Sequence, residues 1–254
     1  MEDKPTLDDA LSLMRDLRAR CEWDAAQTHE SLRPYLIEEA YEVDDAIRGG
    51  DDRLLREELG DLLLQILFHS TIAEERGAFT MHDVAAGFIA KMKARHPHLY
   101  GGGEKQPWER MKARKRNSIV DGLPADLPAL HRAFRLQDRA AGVGFDWPDA
   151  TGPADKVDEE LAEVRHELAS PPADQAKVEE EIGDLLFAVV NLSRKVGVHP
   201  AIALDRANVK FARRFTQVEA MAAERGLKVG EATLEQLDQL WDEVKHDEGT
   251  GGKA

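Results

Sequence analysis

The sequence contains a single cysteine, Cys21, among its 254 residues. No intramolecular disulfide can form, and a cysteine-rich zinc site is excluded, which fits a reducing compartment. Long hydrophobic runs are also missing. The longest apolar stretches, Leu62 to Leu64 with Ile66 to Phe68 and Leu185 to Val190, fall well short of the roughly 20 residues a membrane span needs. The acidic opening MEDKPTLDDA lacks the apolar segment of a secretory signal, so a cytoplasmic location and no membrane partner are expected. Positive charge is scarce: 34 Lys plus Arg stand against 49 Asp plus Glu, for a net charge of −15. That balance argues against nucleic acid as a partner, because phosphate backbones require concentrated cationic surface. Aromatic residues make up only 6%, yet 42% of the chain is hydrophobic, enough for a core. No segment shows convincing period-two alternation, so strands are not expected.

What is present is helical pattern. Leu7, Leu11, Met14 and Leu17 recur at helical spacing behind Thr6, Asp8 and Asp9,. Ser31 and Pro34 mark the start of a second helix, which Gly49-Gly50 stops. Asp51-Asp52 caps a third, closing at Gly77, and Thr80 opens a fourth that ends before Pro97,. Further helices are expected from about Ala154 to Pro171-Pro172, from Asp174 to Gly197, from Pro200 to Gly226, and from Thr233 onward. Between these sets lies DGLPADLPAL, residues 121–130, just after the basic run Arg110 to Arg116. Two prolines and a glycine interrupt helical pattern there. The expected organisation is therefore all-α: a bundle at 1–120, a linker at 121–130 and a second bundle at 131–254.

The two halves repeat specific residues in the same order. Trp23-Asp24 is answered by Trp147-Pro148, EEAYE at 38–42 by EELAE at 159–163, and ELGDLL at 58–63 by EIGDLL at 181–186. KMKAR at 91–95 then matches KFARR at 210–214, and WERMK at 108–112 matches WDEVK at 241–245. Equivalents are separated by about 120 to 133 residues, the signature of an internal duplication.

In each of four helices an acid stands just before an apolar residue and another two after it: Glu39 with Glu42, Glu58 with Asp61, Glu160 with Glu163, and Glu181 with Asp184. At about 100° per residue, acids three apart lie on one side of a helix, here beside the apolar stripe. They belong at the edge of the core, whereas Glu38 and Glu159 turn further towards water. If the two long helices of each half pack together, four carboxylates converge. A single ExxE is usually a solvated face; four placed alike in two repeats point to metal. All-oxygen ligation suits Mg²⁺, or Mn²⁺, over zinc. A magnesium site with cations nearby points in turn to a phosphorylated substrate. Lys210 and Arg214, four apart, share a helix face suited to phosphate oxygens. Trp241 and Lys245, also four apart, offer a ring for stacking and a charge. Lys91, Arg95, Trp108 and Lys112 are their counterparts in the first half.

EEAYE followed by ELGD, and EELAE followed by EIGD, resemble the paired EExxE and ExxD motifs of the MazG nucleoside triphosphate pyrophosphohydrolases, in the all-α NTP pyrophosphatase superfamily. CEWDAAQTHESLRPYLIEEAYEV and NVKFARRF are similar to this family as well. The resemblance implies a cytoplasmic homodimer of tandem MazG-like bundles that serves nucleotide pool control. It implies hydrolysis of (d)NTPs, broad in base, between the α- and β-phosphates to NMP and pyrophosphate with Mg²⁺. Carried over by position, Glu160, Glu163, Glu181 and Asp184 become the metal-binding and catalytic acids, and Glu39, Glu42, Glu58 and Asp61 form a second metal site. Lys156, Lys177, Glu180, Lys210, Arg213, Arg214, Trp241 and Lys245 fall to the nucleotide.

Both halves keep four acids, but Lys156 and Lys177 are replaced by Tyr35 and Leu54 in the first. The second half is therefore expected to be the principal catalytic one. Two other readings compete. A carboxylate-bridged di-iron bundle requires Glu-x-x-His on two helices; Glu163 with His166 and Glu243 with His246 match by spacing, but Asp45 stands where the first repeat would need the partner of His166. A non-catalytic helical protein binding a partner through acidic faces leaves the repeated acid placement unexplained. His96-Pro97-His98 is assigned a capping or turn role rather than a metal site.

Overall fold

The computed structural model describes residues 4–104, 117–172 and 174–251. Trp108, Lys112 and the basic run 110–116 lie outside the described residues. Among those described there are eleven helices and no strand. They fall into two compact units, one within residues 1–105 and the other within 106–254. No described helix is long and apolar enough to cross a membrane.

The first unit contains α1 (Leu7–Arg20), α2 (Glu22–Ala26), α3 (His29–Gly49), α4 (Asp52–Glu75), α5 (Met81–Arg95) and α6 (Pro97–Tyr100). Thr6, Thr28 and Thr80 each close a capping box at the start of α1, α3 and α5, satisfying amide donors that the first turn leaves over. Thr28 also moves the start of α3 ahead of the expected Ser31–Pro34. Its hydroxyl accepts from the Ser31 amide at 3.1 Å while Ser31 Oγ accepts from the Thr28 amide at 2.9 Å. Pro34 consequently lies inside the helix, where it withholds only one backbone bond. Gly50 ends α3 in the left-handed region, φ 68°, a conformation glycine adopts without a Cβ penalty. Asp51 then accepts from the Arg53 and Leu54 amides, so α3 and α4 form a tight helical hairpin. His96 is the C-cap of α5, its ring nitrogen 2.8 Å from the Met92 carbonyl, which is the capping role expected of it.

The core of this unit joins Leu11 and Met14 of α1, Leu32 of α3, and Leu67, Phe68 and Ile72 of α4. Arg18 locks its edge. The guanidinium donates to the carbonyls of Asp24 at 2.5 Å and Gln27 at 2.9 Å, pairs with Glu75, and lies 5.9 Å from the centre of the Phe68 ring.

The second unit contains α7 (Ala129–Gly142), α8 (Thr151–Ala169), α9 (Gln175–Lys195), α10 (Pro200–Glu224) and α11 (Leu234–Gly251). Helix α7 was not expected, and α8 begins at Thr151 rather than near Ala154. The last residues of DGLPADLPAL already form the first turn of α7. The preceding segment is held to this unit by buried Arg139, which donates to the carbonyls of Ile119 at 2.7 Å and Asp121 at 3.0 Å. Proline and glycine interrupt the helix within 121–130, and Arg139 ties the start of that segment to the helix that follows it. Helices α8 and α9 pack along their lengths, α7 packs on α9 and α10, and α10 pairs with α11 through Val218, Ala222, Leu240 and Val244.

Phe68 is 2% exposed at the junction of α1, α3 and α4. Phe68→Ala should cost about 3–5 kcal/mol of stability, read as a lower denaturant midpoint of the far-ultraviolet circular dichroism signal.

Candidate functional site

Each helix hairpin brings acids together. In the first unit, one carboxylate oxygen from each of Glu39, Glu58 and Asp61 lies within 4.8 Å of the others; in the second, Glu160, Glu163 and Glu181 do the same. The arrangement follows from α3 packing on α4 and α8 on α9, with the acids flanking the apolar seam. Three of the four expected acids meet in each set. Glu42 stands outside the first close group, although its charge acts on Glu39 and Glu58. Asp184 stands outside the second and lines an adjoining cleft.

The groups are electrostatically strained. Local desolvation pushes the Glu163 carboxyl above its ordinary pKa, helped by hydrogen bonding with Glu160 and by the charges of Glu160 and Glu181, with Lys156 opposing. Desolvation also raises Glu39, with Asp61, Glu42 and Glu58 adding to it, and raises Glu58, with Glu42 and Asp61 adding. Carboxylates pressed together in this way favour protonation or a cation. An oxygen-only donor set of this kind fits a hard divalent ion. Neither close group contains histidine; His166 and His246 are exposed, and Glu243 is occupied by Arg225 at 2.5 Å. The di-iron reading therefore finds no histidine in either close group of the described residues.

The two sites differ in their cations. Lys156 Nζ lies 2.6 Å from Glu160 and 2.9 Å from Glu159. Those bonds, Glu160 first, hold its ammonium charged well above its usual range. Glu160 itself is 5% exposed, a burial tolerable for a carboxylate because a counter-charge is within contact. At the matching position the first unit has Tyr35, which carries no cation. Lys177 and Glu180 are exposed on α9. Lys210, Arg213, Arg214, Trp241 and Lys245 sit on the α10–α11 pair. There Arg213 and Arg214 share Glu248 at 2.7 and 2.8 Å, the Arg214 guanidinium lies 5.9 Å from the Trp241 ring centre, and Lys245 pairs with Asp242 at 2.7 Å.

Beside the second acid group is a cleft of about 570 Å³, lined by Lys156, Glu160 and Asp184 together with Ile119, Leu136, Gln137, Phe145, Trp147, Phe187 and Asn191. Of the residues that accompany Lys156, Glu160 and Asp184, the sequence singles out only Trp147, as a repeat marker. The loop carrying Phe145 and Trp147 is fastened to the end of α9: Asp146 accepts from Arg194 at 2.5 Å and Lys195 at 3.1 Å, and Lys195 also donates to the Trp147 carbonyl. Burial alone would raise the Asp146 pKa, but the hydrogen bonds from Arg194 and Lys195 hold it below the usual value. The signal available in the sequence was GFDW, aromatics around an acid just before an acid-bearing helix.

A family model described as the MazG nucleotide pyrophosphohydrolase domain matches residues 27–100, spanning the first acid group. The chain is 44% identical over 247 residues to the nucleoside triphosphate pyrophosphohydrolase/pyrophosphatase MazG of Thermotoga maritima, covering 94% of this chain and 95% of that protein. It is equally 44% identical over 247 residues to the nucleoside triphosphate pyrophosphohydrolase of Escherichia coli K12, covering 92% and 94%. The uncharacterized protein YabN of Bacillus subtilis is 42% identical over 250 residues, 93% of this chain but 51% of that protein. These likenesses run through both acid groups, and the chain belongs to the MazG family of nucleotide pyrophosphohydrolases.

Proposed function

We propose that this chain hydrolyses nucleoside triphosphates between the α- and β-phosphates, giving the monophosphate and pyrophosphate, with Mg²⁺ at the Glu160, Glu163 and Glu181 group. The observation that carries the reading is the packing of these three carboxylates within 4.8 Å, with Lys156 2.6 Å from Glu160 and an apolar cleft alongside. Relatives named as nucleoside triphosphate pyrophosphohydrolases match over nearly the whole chain.

The acids of α8 and α9 would hold the metal, with Asp184 beside them. Mg²⁺, or Mn²⁺ in its place, supplies charge neutralisation and lowers the pKa of a bound water. Lys156 fixes Glu160 and adds positive charge where phosphate oxygens arrive. A carboxylate at the edge of the group is suited to orient the attacking water and accept its proton. Lys177, Lys210, Arg213, Arg214, Trp241 and Lys245 supply further cationic and stacking surface, and Glu180 lies beside them on α9. Hydrolysis breaks one P–O bond of the α,β-bridge, and water provides the oxygen and protons that complete both products. The enclosed surface is mostly apolar, which favours breadth in base.

The second unit is the principal catalytic half in this reading, since Tyr35 and Leu54 stand where it has Lys156 and Lys177; Glu39, Glu42, Glu58 and Asp61 form a second metal site. A tandem pair of MazG-like bundles also accounts for the matching acid groups. A homodimer is supported by apolar residues left exposed along α3 and α4, among them Ile37, Tyr41, Leu59 and Leu64, and along α9. Patches of this kind are unusual on a monomer.

Incubation with Mg²⁺ and a panel of (d)NTPs should release NMP and pyrophosphate, and EDTA should abolish turnover until Mg²⁺ is restored in excess. Release of nucleoside diphosphate and phosphate would refute the cleavage site. Glu181→Gln should lower kcat by about 100-fold or more, whereas Glu58→Gln should lower it only a few-fold; equal losses, or a larger loss in Glu58→Gln, would overturn the assignment of the catalytic half. Light scattering should give a dimer mass for the wild type, and Ile37→Asp combined with Leu64→Asp should shift it towards the monomer.

A further inference from the structure

Phe145 and Trp147 belong to a loop that apolar burial does not hold. Phe145 is 78% exposed and Trp147 39%, so little apolar area is withdrawn from water to fix them. The two ends of the loop are tied through backbone amides: that of Phe145 donates to the Ala140 carbonyl at 3.0 Å, and that of Thr151 to the Asp149 carboxylate at 2.8 Å. The middle is fastened by the carboxylate of Asp146. It accepts from the Trp147 amide at 3.0 Å, from the Arg194 guanidinium at 2.5 Å and from Lys195 Nζ at 3.1 Å, and Lys195 also donates to the Trp147 carbonyl. The side chains of Arg194, Lys195 and Asp146 are 11%, 16% and 23% exposed. Ion pairs so far withdrawn from water are not the weak contacts of a solvated surface, and removing one partner leaves the others uncompensated.

The two cations close α9, the helix that carries Glu181 and Asp184. Arg194 also reaches back along that helix: its guanidinium donates to Asn191 Oδ1 at 2.8 and 3.1 Å, and Asn191 lines the cleft. The Trp147 ring rests on α8 instead, where Gly152 comes so close that a Cβ would meet ring Cδ1 at 2.1 Å. The loop is thus tied to both helices of the acid group. The first unit builds a similar joint with the polarity reversed. There Arg18 of α1 donates to the carbonyls of Asp24 and Gln27, in the segment behind Trp23, and pairs with Glu75, the last residue of α4. Two unlike sets of residues fasten a tryptophan-bearing segment to the end of the second acid-bearing helix, which points to the position of that segment as the quantity being held.

We propose that Asp146 is a positioning residue for nucleotide hydrolysis: through Arg194 and Lys195 it sets where the Phe145–Trp147 loop stands relative to the acids of α8 and α9, and with that the affinity for the nucleotide. Asp146 itself touches neither metal nor phosphate. Loss of its charge leaves Lys156 and the acids in place, because the packing of α8 on α9 holds them, but it frees the loop. The cost of ordering the loop again then falls on every binding event. A whole nucleotide, which reaches beyond the acids to the loop, binds more weakly; a ligand confined to the phosphate end does not. Only the reaction, and not the joint, rests on the hydrolase reading above.

The test is steady-state kinetics of the full-length chain with Mg²⁺ and each (d)NTP that the wild type turns over, with inorganic pyrophosphate as an inhibitor. Asp146→Asn keeps the shape and removes the charge. KM should rise about tenfold for every substrate while kcat stays within about threefold, and the inhibition constant of pyrophosphate should stay within about twofold. Asp146→Glu, which keeps the carboxylate, should recover most of the loss. Lys195→Met cuts the bond to the Trp147 carbonyl from the α9 side; it should raise KM in the same way, and it decides the matter if Asp146→Asn does not fold. An unchanged KM, a fall in kcat alone, an equal weakening of pyrophosphate, or Asp146→Glu as impaired as Asp146→Asn would overturn the assignment. If the wild type binds a (d)NTP without cleaving it, calorimetry of that (d)NTP should show the same tenfold weakening in Asp146→Asn, which would defeat the hydrolase reading and leave the joint standing. A wild type that binds no nucleotide would overturn both.

Discussion

Carboxylates held within 4.8 Å of one another repel, and the fold must supply the force that keeps them there. That force comes from the helix hairpins. Along α3 and α4, and again along α8 and α9, the acids flank the residues that pack the two helices together, so separating the charges would require opening the apolar seam. Apolar burial is worth roughly 25 cal/mol per Å², and a seam several turns long exceeds the repulsion of a few partly solvated charges. Local desolvation, and after it the charges of the neighbouring acids, raises the carboxyl pKa values of Glu39, Glu58 and Glu163.

The two units resolve this strain differently. In the second, Lys156 stands one turn before Glu160 and contacts it at 2.6 Å, so a nearly buried carboxylate has its counter-charge within the protein. Tyr35 occupies the equivalent turn of α3, and among the described residues no cation forms an ion pair with Glu39, Glu58 or Asp61. One difference of residue thus separates two similar acid groups. The second has a fixed cation beside its acids, and the first has none at the matching position.

Much of this was legible in the sequence because helix periodicity and capping are local. Thr6, Asp51 and Thr80 mark helix starts within a residue of where they occur, and acids three apart on each helix had to share a side. The features that were not legible depend on distant partners. Pro34 looked like a helix start because its ring tolerates the first turn, yet Thr28 and Ser31 cap each other ahead of it. DGLPADLPAL looked like a linker, but Arg139, 18 residues beyond Asp121, reaches back to hold its carbonyls. Nothing local to Gln137 says that its amide will meet Phe187, 50 residues away, or that the GFDW aromatics will wall a cleft beside Glu160.

The α10–α11 pair poses a different physical problem. Lys210, Arg213 and Arg214 look like a phosphate clamp by spacing, but Glu248 accepts from Arg214, forms an ion pair with Arg213, and is held below its usual pKa, chiefly by the Arg214 hydrogen bond and then by the charges of Arg213, Arg214 and Lys210. An anion approaching these groups meets a cluster whose charge is already partly offset. The arrangement still has a use: Glu248 and the Trp241 ring hold the Arg214 fork in one orientation, so part of the rotamer entropy that a flexible arginine would lose on binding phosphate has been removed in advance. An anion of higher charge than one carboxylate would have to displace Glu248 from a fork already oriented, so binding there would exchange one acceptor for another rather than assemble a clamp from disordered side chains,.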